Sequence, residues 1–182
     1  MSDKKNILLG VTASIAAYRA CDLITELRAE GFSVTVVMTK DARHFITALT
    51  LQSFAGSEVI EDFFAVPGRV KPVHIELAKK ADLILVAPAT ADIIAKLAHG
   101  LADDVLSCTV LASEAKLVIV PAMNEKMLNN RFTQENIKRL EQNGAVFVSP
   151  IKGHLVCSDY GDGHIAGNND ILKAVHTSLK SK

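Results

Sequence analysis

Tryptophan is absent from the sequence, and phenylalanine and tyrosine together supply only 5% of the residues. Aromatic rings therefore cannot fill most of the interior, which has to be packed with aliphatic side chains. Hydrophobic residues still make up 49% of the 182 residues, and Ala, Ile, Leu and Val dominate the apolar runs. This composition is typical of a parallel β-sheet covered by helices. A chain of this length fits one domain, residues 1–182, with a full core.

Net charge is also missing, because basic residues and acidic residues both number 20. The chain thus lacks the excess of basic residues with which a nucleic-acid-binding protein contacts phosphates. No apolar run approaches the roughly 20 residues that a membrane-spanning helix needs. The three cysteines are odd in number and far apart, which favours a reducing compartment without disulfides and excludes a zinc ribbon. We therefore expect a cytoplasmic protein without bound metal and without a nucleic-acid or membrane partner.

Apolar runs alternate with helical stretches along the chain. Five runs are predicted strands, at 6–11, 33–39, 82–88, 115–121 and 145–149. Helices are predicted at 14–31, 42–56, 74–81, 133–144 and 169–180, with one or two more within 91–112. Residues 57–73 look irregular, and residues 150–168 look like a long loop. The alternation predicts a single doubly wound parallel α/β sheet, Rossmann-like or flavodoxin-like.

In such sheets, ligands bind beyond the carboxyl ends of the strands. After the first strand, "GVTASI" places Ser14 as a helix N-cap, where free N–H groups and the helix dipole could bind a phosphate. An ordinary cap explains this stretch equally well. The dinucleotide pattern GxGxxG is missing. The second strand ends with Thr39 rather than with the acidic residue that holds an NAD ribose. Both features favour a mononucleotide over NAD.

The third strand leads into "APATADIIAK", residues 87–96. Thr90 and Ala91 are small or hydroxylic residues between a strand and a helix, like those after the first strand. Small residues at this place let a flat ring approach the backbone. A plain helix N-terminus is the alternative.

Three further residues could carry chemistry. Asn124 follows the fourth strand in "VPAMNEKML", with Met127 close behind, so that an amide lies at the ligand edge. His74 opens a predicted helix, although a lone histidine is usually structural or solvated. Cys157 lies in the polar, glycine-rich stretch "HLVCSDYGDGHIAG", which is typical of an active-site lid but also fits a partly buried loop thiol.

Taken together, these motifs resemble the family of homo-oligomeric FMN-containing cysteine decarboxylases over nearly the whole chain. The matching segments are "GVTASIA", Thr39 with Ala42 and Phe45, "VHIELAKKAD", "PATADIIAK", "DDVLS" and "PAMNEKM". The family usually has Asn-Thr where this chain has Asp92 and Ile93, and Trp where it has Leu128. Its cysteine loop usually reads Ala-Cys-Gly and ends in Gly-x-Gly-Arg, whereas this loop reads Val-Cys-Ser and ends at His164.

The resemblance implies FMN as cofactor and 4'-phosphopantothenoylcysteine as substrate, in coenzyme A biosynthesis. The acylated amine of that substrate cannot form a Schiff base with pyridoxal phosphate. Flavin can instead take a hydride equivalent from the Cβ–S unit, and the resulting thioaldehyde accepts the electrons released with carbon dioxide. Re-reduction then gives 4'-phosphopantetheine.

The resemblance also assigns roles to individual residues. Asn124 would hold the substrate carboxylate without stabilising it through a full charge, with Met127 nearby. His74 would position or deprotonate the thiol, and Cys157 would protonate the enethiolate during re-reduction. The residues implied at the flavin are Ala13, Ser14, Ile15, Thr39, Thr90, Ala91, Asp92, Ile93 and Ala122.

Two other functions within this resemblance stay open. A peptidyl-cysteine decarboxylase of lantibiotic maturation stops at the enethiol and does not need a reducing cysteine, so Cys157 argues against it. An FMN-binding regulatory protein often carries acidic tails, which are missing here. Prenyl-flavin-forming transferases share the fold but lack the pair of "PAMN" and the loop cysteine. The family assembles as homotrimers or as larger sets of trimers, and we expect the same here.

Overall fold

Six parallel strands form the main sheet of the protein. The computed structural model describes residues 4–63, 72–155 and 158–180 of the chain. In chain order the strands are β1 (Asn6–Val11), β2 (Ser33–Met38), β3 (Val59–Ile60), β4 (Leu83–Ala89), β5 (Lys116–Pro121) and β6 (Val146–Phe147). They lie side by side in the order β3-β2-β1-β4-β5-β6, and all neighbours are parallel. The predicted doubly wound α/β sheet is therefore confirmed.

Helices cover both faces of this sheet, because its central strands are apolar on both sides. The helices are α1 (Arg19–Ala29), α2 (Ala48–Ala55), α3 (Val73–Lys80), α4 (Ala91–His99), α5 (Val105–Leu111), α6 (Glu125–Leu128), α7 (Arg131–Gln142) and α8 (Asn168–Lys180). The helices α1, α2 and α8 join the core on the face of Leu9, and α3, α4, α5 and α7 join it on the face of Leu8. Neighbouring β1 residues thus point to opposite helical layers, as strand geometry requires.

The order of the strands creates a crevice between β1 and β4. The chain runs from β1 outward to β2 and β3, and then returns to β4 on the other side of β1. Crossovers therefore leave in opposite directions at this point, which is where ligands of doubly wound sheets bind. The carboxyl ends of β1 and β4 are the segments around Thr12 and Thr90.

The segment 150–168 differs from its prediction as a loop. It contains an antiparallel hairpin of β7 (Ile151–Leu155) and β8 (Ser158–His164), separate from the main sheet. The loop prediction was wrong because glycines and polar residues interrupt the apolar alternation that marks a strand. The short strand β3 was missed for a related reason, since only two of its residues pair with the sheet.

Two predicted helices begin later than expected. The stretch 14–31 opens with a 3₁₀ turn over Ile15–Tyr18, and the stretch 42–56 is divided into a 3₁₀ turn over Lys40–His44 and the helix α2. Within the described ranges, no helix combines the length and the apolar character needed to cross a bilayer.

Candidate active site

The carboxyl ends of β1 and β4 are fastened together by Thr12. Its buried hydroxyl donates a hydrogen bond to the Pro88 carbonyl at 2.7 Å and accepts one from the Thr90 N–H at 3.2 Å. Pro88 belongs to the last residues of β4, and Thr90 directly follows that strand. Thr12 therefore sets the separation of the two strand ends that border the crevice.

Replacing Thr12 with valine is expected to lower the free energy of unfolding by about 1–3 kcal/mol, because two backbone groups lose a buried partner. Thermal and denaturant unfolding measure this change. Thr12→Ser keeps the hydroxyl and should recover most of the loss. Thr109→Val is the matched control, since Thr109 is also buried but donates only to the Val105 carbonyl within its own helix. Equal losses for the two valine variants would contradict the role of Thr12.

Ser14 connects the end of β1 to the end of β5. As predicted, it is an N-cap: its side chain accepts a hydrogen bond from the Ala16 N–H at the start of the 3₁₀ turn. Its hydroxyl also lies 3.3 Å from the Ala122 carbonyl, to which it donates, and the Ala122 N–H bonds the Ala89 carbonyl at 3.0 Å. The ends of β1, β4 and β5 thus form one continuous edge.

Polar donors remain available at the ends of β1 and β2. Within the described part of the chain, the N–H groups of Ala13 and Ile15 donate no hydrogen bond, and neither does the Thr39 hydroxyl. Thr39 lies beside the end of β1, because its N–H bonds the Val11 carbonyl at 3.0 Å. Ala13 and Thr39 are half-buried, and the Ile15 side chain is exposed. This set of donors fits an anionic group such as a phosphate.

The start of α4 forms the opposite side of the crevice. Thr90 is its N-cap and accepts a hydrogen bond from the Ile93 N–H at 3.3 Å. The Ile93 side chain is buried in the core, Ala91 is half-buried and Asp92 is exposed. Any ligand contact by Ile93 would therefore involve its backbone rather than its side chain.

Lys96 connects the segment "PATADIIAK", to which it belongs, with the segment "DDVLS". Its ammonium group lies 3.1 Å from a carboxylate oxygen of Asp103, 3.6 Å from one of Asp92 and 3.7 Å from one of Asp104. Burial lowers the pKa of Lys96, but the hydrogen bond to Asp103 and the three acidic charges outweigh it and raise that pKa above its ordinary value. The lysine thus stays charged and ties α4 to the start of α5.

Asn124 lies three residues beyond the end of β5 and serves as the N-cap of α6. Its Oδ1 atom accepts a hydrogen bond from the Lys126 N–H at 2.9 Å. Because the oxygen is used for the cap, the amide NH₂ is the end of the side chain left to donate to a ligand. Met127 follows within α6 and is half exposed, whereas Leu128 is buried.

The hairpin is attached to the Asn124 loop at Gly163. The Met123 N–H donates to the Gly163 carbonyl at 3.1 Å. Gly163 has a φ of +130°, and a Cβ atom added there would lie 2.1 Å from the Met123 carbonyl oxygen. Only glycine allows this backbone approach, so the residue fixes the hairpin against the loop that carries Asn124.

The change Gly163→Ala is expected to detach the hairpin and to lower the free energy of unfolding by about 2 kcal/mol or more, through a strained φ and the clash with Met123. Limited proteolysis should then cut within residues 151–164 before the rest of the chain. Gly167→Ala serves as control, because the nearest atom to its added Cβ is 4.0 Å away. Parent-like stability and proteolysis of the Gly163 variant would show that the close approach is not needed.

His74 lies in the first turn of α3, away from the hydrogen bonds described above. Its ring is half-buried and forms a T-shaped contact with Phe63, with centroids 5.6 Å apart. The Nδ1 atom is enclosed and has no hydrogen-bond partner among the residues that the structure describes. None of the described hydrogen bonds connects His74 to Asn124 or to the crevice.

Cys157 lies outside the described residues. The other two cysteines, Cys21 and Cys108, are half-buried in helices α1 and α5. Burial and nearby acidic residues raise the pKa of both thiols, so neither is a good proton donor or nucleophile at neutral pH. No group of three or more metal-binding side chains occurs in the described ranges.

Two residues of this site were missed by the sequence analysis. Thr12 ends an apolar run, where a β-branched residue looks like part of the strand. Gly163 belongs to a glycine-rich stretch that gives no reason to single it out. The signal for Thr12 was its place in "GVTASI", where it precedes a predicted cap by two residues.

Comparison with known proteins finds a matching family and similar curated proteins. The sequence model of the Flavoprotein family matches residues 1–180. The coenzyme A biosynthesis bifunctional protein CoaBC of Vibrio vulnificus is 46% identical over 161 residues, which cover 88% of this chain and 40% of that protein. CoaBC of Bacillus subtilis is 42% identical over 173 residues, covering 95% and 43%. The chain thus spans less than half the length of these curated relatives.

Several solved structures have the same fold as this chain. A cysteine-to-serine mutant of PPC decarboxylase, complexed with pantothenoylaminoethenethiol, superposes with a TM-score of 0.87 at 32% identity, covering 98% of this chain and 100% of that one. The FMN-dependent cysteine decarboxylase SpaF has a TM-score of 0.86 at 32% identity, with 96% and 95% covered. The FMN-binding protein AtHal3 has a TM-score of 0.83 at 32% identity, with 98% of each chain covered.

Proposed function

The chain belongs to the Flavoprotein family, and from this membership we propose that it is an FMN-dependent carboxy-lyase that decarboxylates 4'-phosphopantothenoylcysteine to 4'-phosphopantetheine in coenzyme A biosynthesis. The observation that carries the proposal is the joined edge of β1, β4 and β5, from which both the loop with Ala13 and the loop with Asn124 emerge. The names of the CoaBC and PPC decarboxylase relatives support this substrate.

FMN fits the crevice because the donors at its rim match a phosphate. The N–H groups of Ala13 and Ile15 and the Thr39 hydroxyl would hold that group. The flavin ring would be bordered by small side chains and backbone groups, those of Ser14, Thr90 to Ile93 and Ala122. Bound FMN would supply the two-electron acceptor for the Cβ–S unit of the substrate and would return the electrons later.

The residues of the chain would handle the carboxylate and the protons. Asn124 would donate its amide NH₂ to the substrate carboxylate, orienting it without adding a charge that favours the ground state. Met127 would contact the substrate beside it. His74 would accept or hold the proton of the substrate thiol, and Cys157 would return a proton to the enethiolate.

Assembly would complete this site. No hydrogen bond in the described part of the chain connects His74 with the crevice, which suits a site that draws on more than one copy of the chain. We expect a homotrimer or an assembly of trimers, and native mass spectrometry of the purified protein would determine the number of copies.

A second candidate is a peptidyl-cysteine decarboxylase. SpaF and the peptidyl-cysteine decarboxylase EpiD share the fold at 32% and 29% identity. The CoaBC relatives are more similar in sequence, at 39–46% identity, and this difference favours the small-molecule substrate.

One assay tests the proposal. The protein is reconstituted with FMN and incubated with 4'-phosphopantothenoylcysteine, and the product is weighed by mass spectrometry. Loss of carbon dioxide to give 4'-phosphopantetheine is the expected result, and a peptide ending in cysteine should not react. Decarboxylation of the peptide alone would favour the second candidate. FMN binding without turnover of either substrate would favour a regulatory flavoprotein.

A further inference from the structure

The imidazole of His74 lacks the hydrogen bond that usually fixes a functional histidine. A histidine that transfers protons is commonly oriented through its second ring nitrogen, which donates to or accepts from a neighbour. Here Nδ1 is enclosed, yet it has no such partner among the residues that the structure describes. Its orientation must therefore come from packing.

Phe63 provides that packing. Its ring is perpendicular to the imidazole, with an interplanar angle of 87° and centroids 5.6 Å apart. In such an edge-to-face pair, the positive edge of one ring meets the negative face of the other, so rotation of the imidazole would lose the contact. Phe63 is half-buried against the same core cluster that contains the first residue of α3, Val73, so the phenyl ring itself is held in place.

We infer that Phe63 is a positioning residue that orients the His74 imidazole for proton transfer. This inference rests on the proposed function for the rate measurements, but the orientation itself can be measured without turnover. Loss of the phenyl ring should leave the imidazole free to turn. The fraction of molecules with a correctly aimed nitrogen should then fall, and kcat should fall with it, while KM stays near the parent value because substrate binding is unaffected.

The variants are Phe63→Leu and Phe63→Tyr, with Phe147→Leu as control. Phe147 is half-buried against the same core cluster as Phe63. We expect kcat to fall about tenfold in Phe63→Leu, a factor that corresponds to about 1.4 kcal/mol. Phe63→Tyr keeps the ring and should have nearly the parent rate, as should Phe147→Leu.

A double-mutant cycle separates positioning from a general effect on structure. If Phe63 acts through His74, Phe63→Leu should have no further effect on the residual rate of a His74→Asn protein. Equal factors in both backgrounds, or a Phe63→Tyr variant as slow as Phe63→Leu, would overturn the inference. A fully active His74→Asn protein would instead remove His74 from the proposed mechanism.

NMR supplies the readout that does not depend on activity. In the protein with FMN, nuclear Overhauser contacts should connect the ring protons of Phe63 and His74. The imidazole signals of His74 should move in Phe63→Leu and stay in place in Phe147→Leu. These contacts are measured in the parent protein, so the inference stays testable if Phe63→Leu does not fold. Their absence would overturn it.

Discussion

Replacing Asn124 with aspartate is expected to slow decarboxylation at least about 100-fold while FMN stays bound. Aspartate places a negative charge beside the substrate carboxylate, and such like-charge contacts cost several kcal/mol, where about 1.4 kcal/mol is a factor of ten. Aspartate caps helices as well as asparagine does, so the start of α6 should be preserved. The loss should therefore come from the site and not from folding.

Asn124→Ser separates the added charge from the missing donor. Serine also caps helices, but it is neutral and its hydroxyl is shorter than the amide. We expect a rate between those of the parent and the aspartate variant. Steady-state turnover, FMN absorbance and thermal unfolding should be measured for all three proteins. A parent-like rate in Asn124→Asp would remove this residue from the mechanism.

The change Cys157→Ser is expected to stop the reaction after carbon dioxide has been lost. We assign the thiol only to re-reduction, and a serine hydroxyl is a far weaker acid than a thiol. The product should be an enethiol that is two hydrogens lighter than phosphopantetheine, and formation of phosphopantetheine itself should fall at least about 1000-fold, within the range of general acid catalysis.

Cys21→Ser and Cys108→Ser are the controls for this experiment. Both thiols are half-buried in helices and have a raised pKa, so both variants should make the ordinary product. Mass spectrometry of the three product mixtures distinguishes the outcomes. Ordinary phosphopantetheine from Cys157→Ser at the parent rate would show that this cysteine is not the acid.

The sheet could be predicted from sequence because its strands are apolar on both faces and are separated by helices. A run such as residues 83–89, buried throughout, has no other plausible place than the centre of a covered sheet. The predicted N-cap at Ser14 was confirmed as well, because a hydroxyl residue between a strand and a helix acts locally, and Thr90 caps α4 in the same way.

The hairpin could not be predicted because its strands lack a recognisable local pattern and its attachment to the domain involves a residue distant in sequence. Residues 151–164 contain three glycines and no sustained apolar alternation. The hairpin is attached through Gly163 to Met123, which lies 40 positions earlier in the chain. The hydrogen bonds of Thr12 to Pro88 and Thr90, at the end of β4, also join residues remote in sequence. Local pattern carries no information about such pairs.

The edge strands β3 and β6 are too short to support association of two copies of this chain through their sheets. Each of these outermost strands pairs over only two residues, Val59–Ile60 at one border and Val146–Phe147 at the other. A neighbouring chain that tried to extend the sheet would find almost no backbone to continue the ladder, and short edges of this kind protect natural proteins against fibril formation. Copies are therefore expected to associate through helices and loops, and the protein should resist amyloid-like growth even at high concentration.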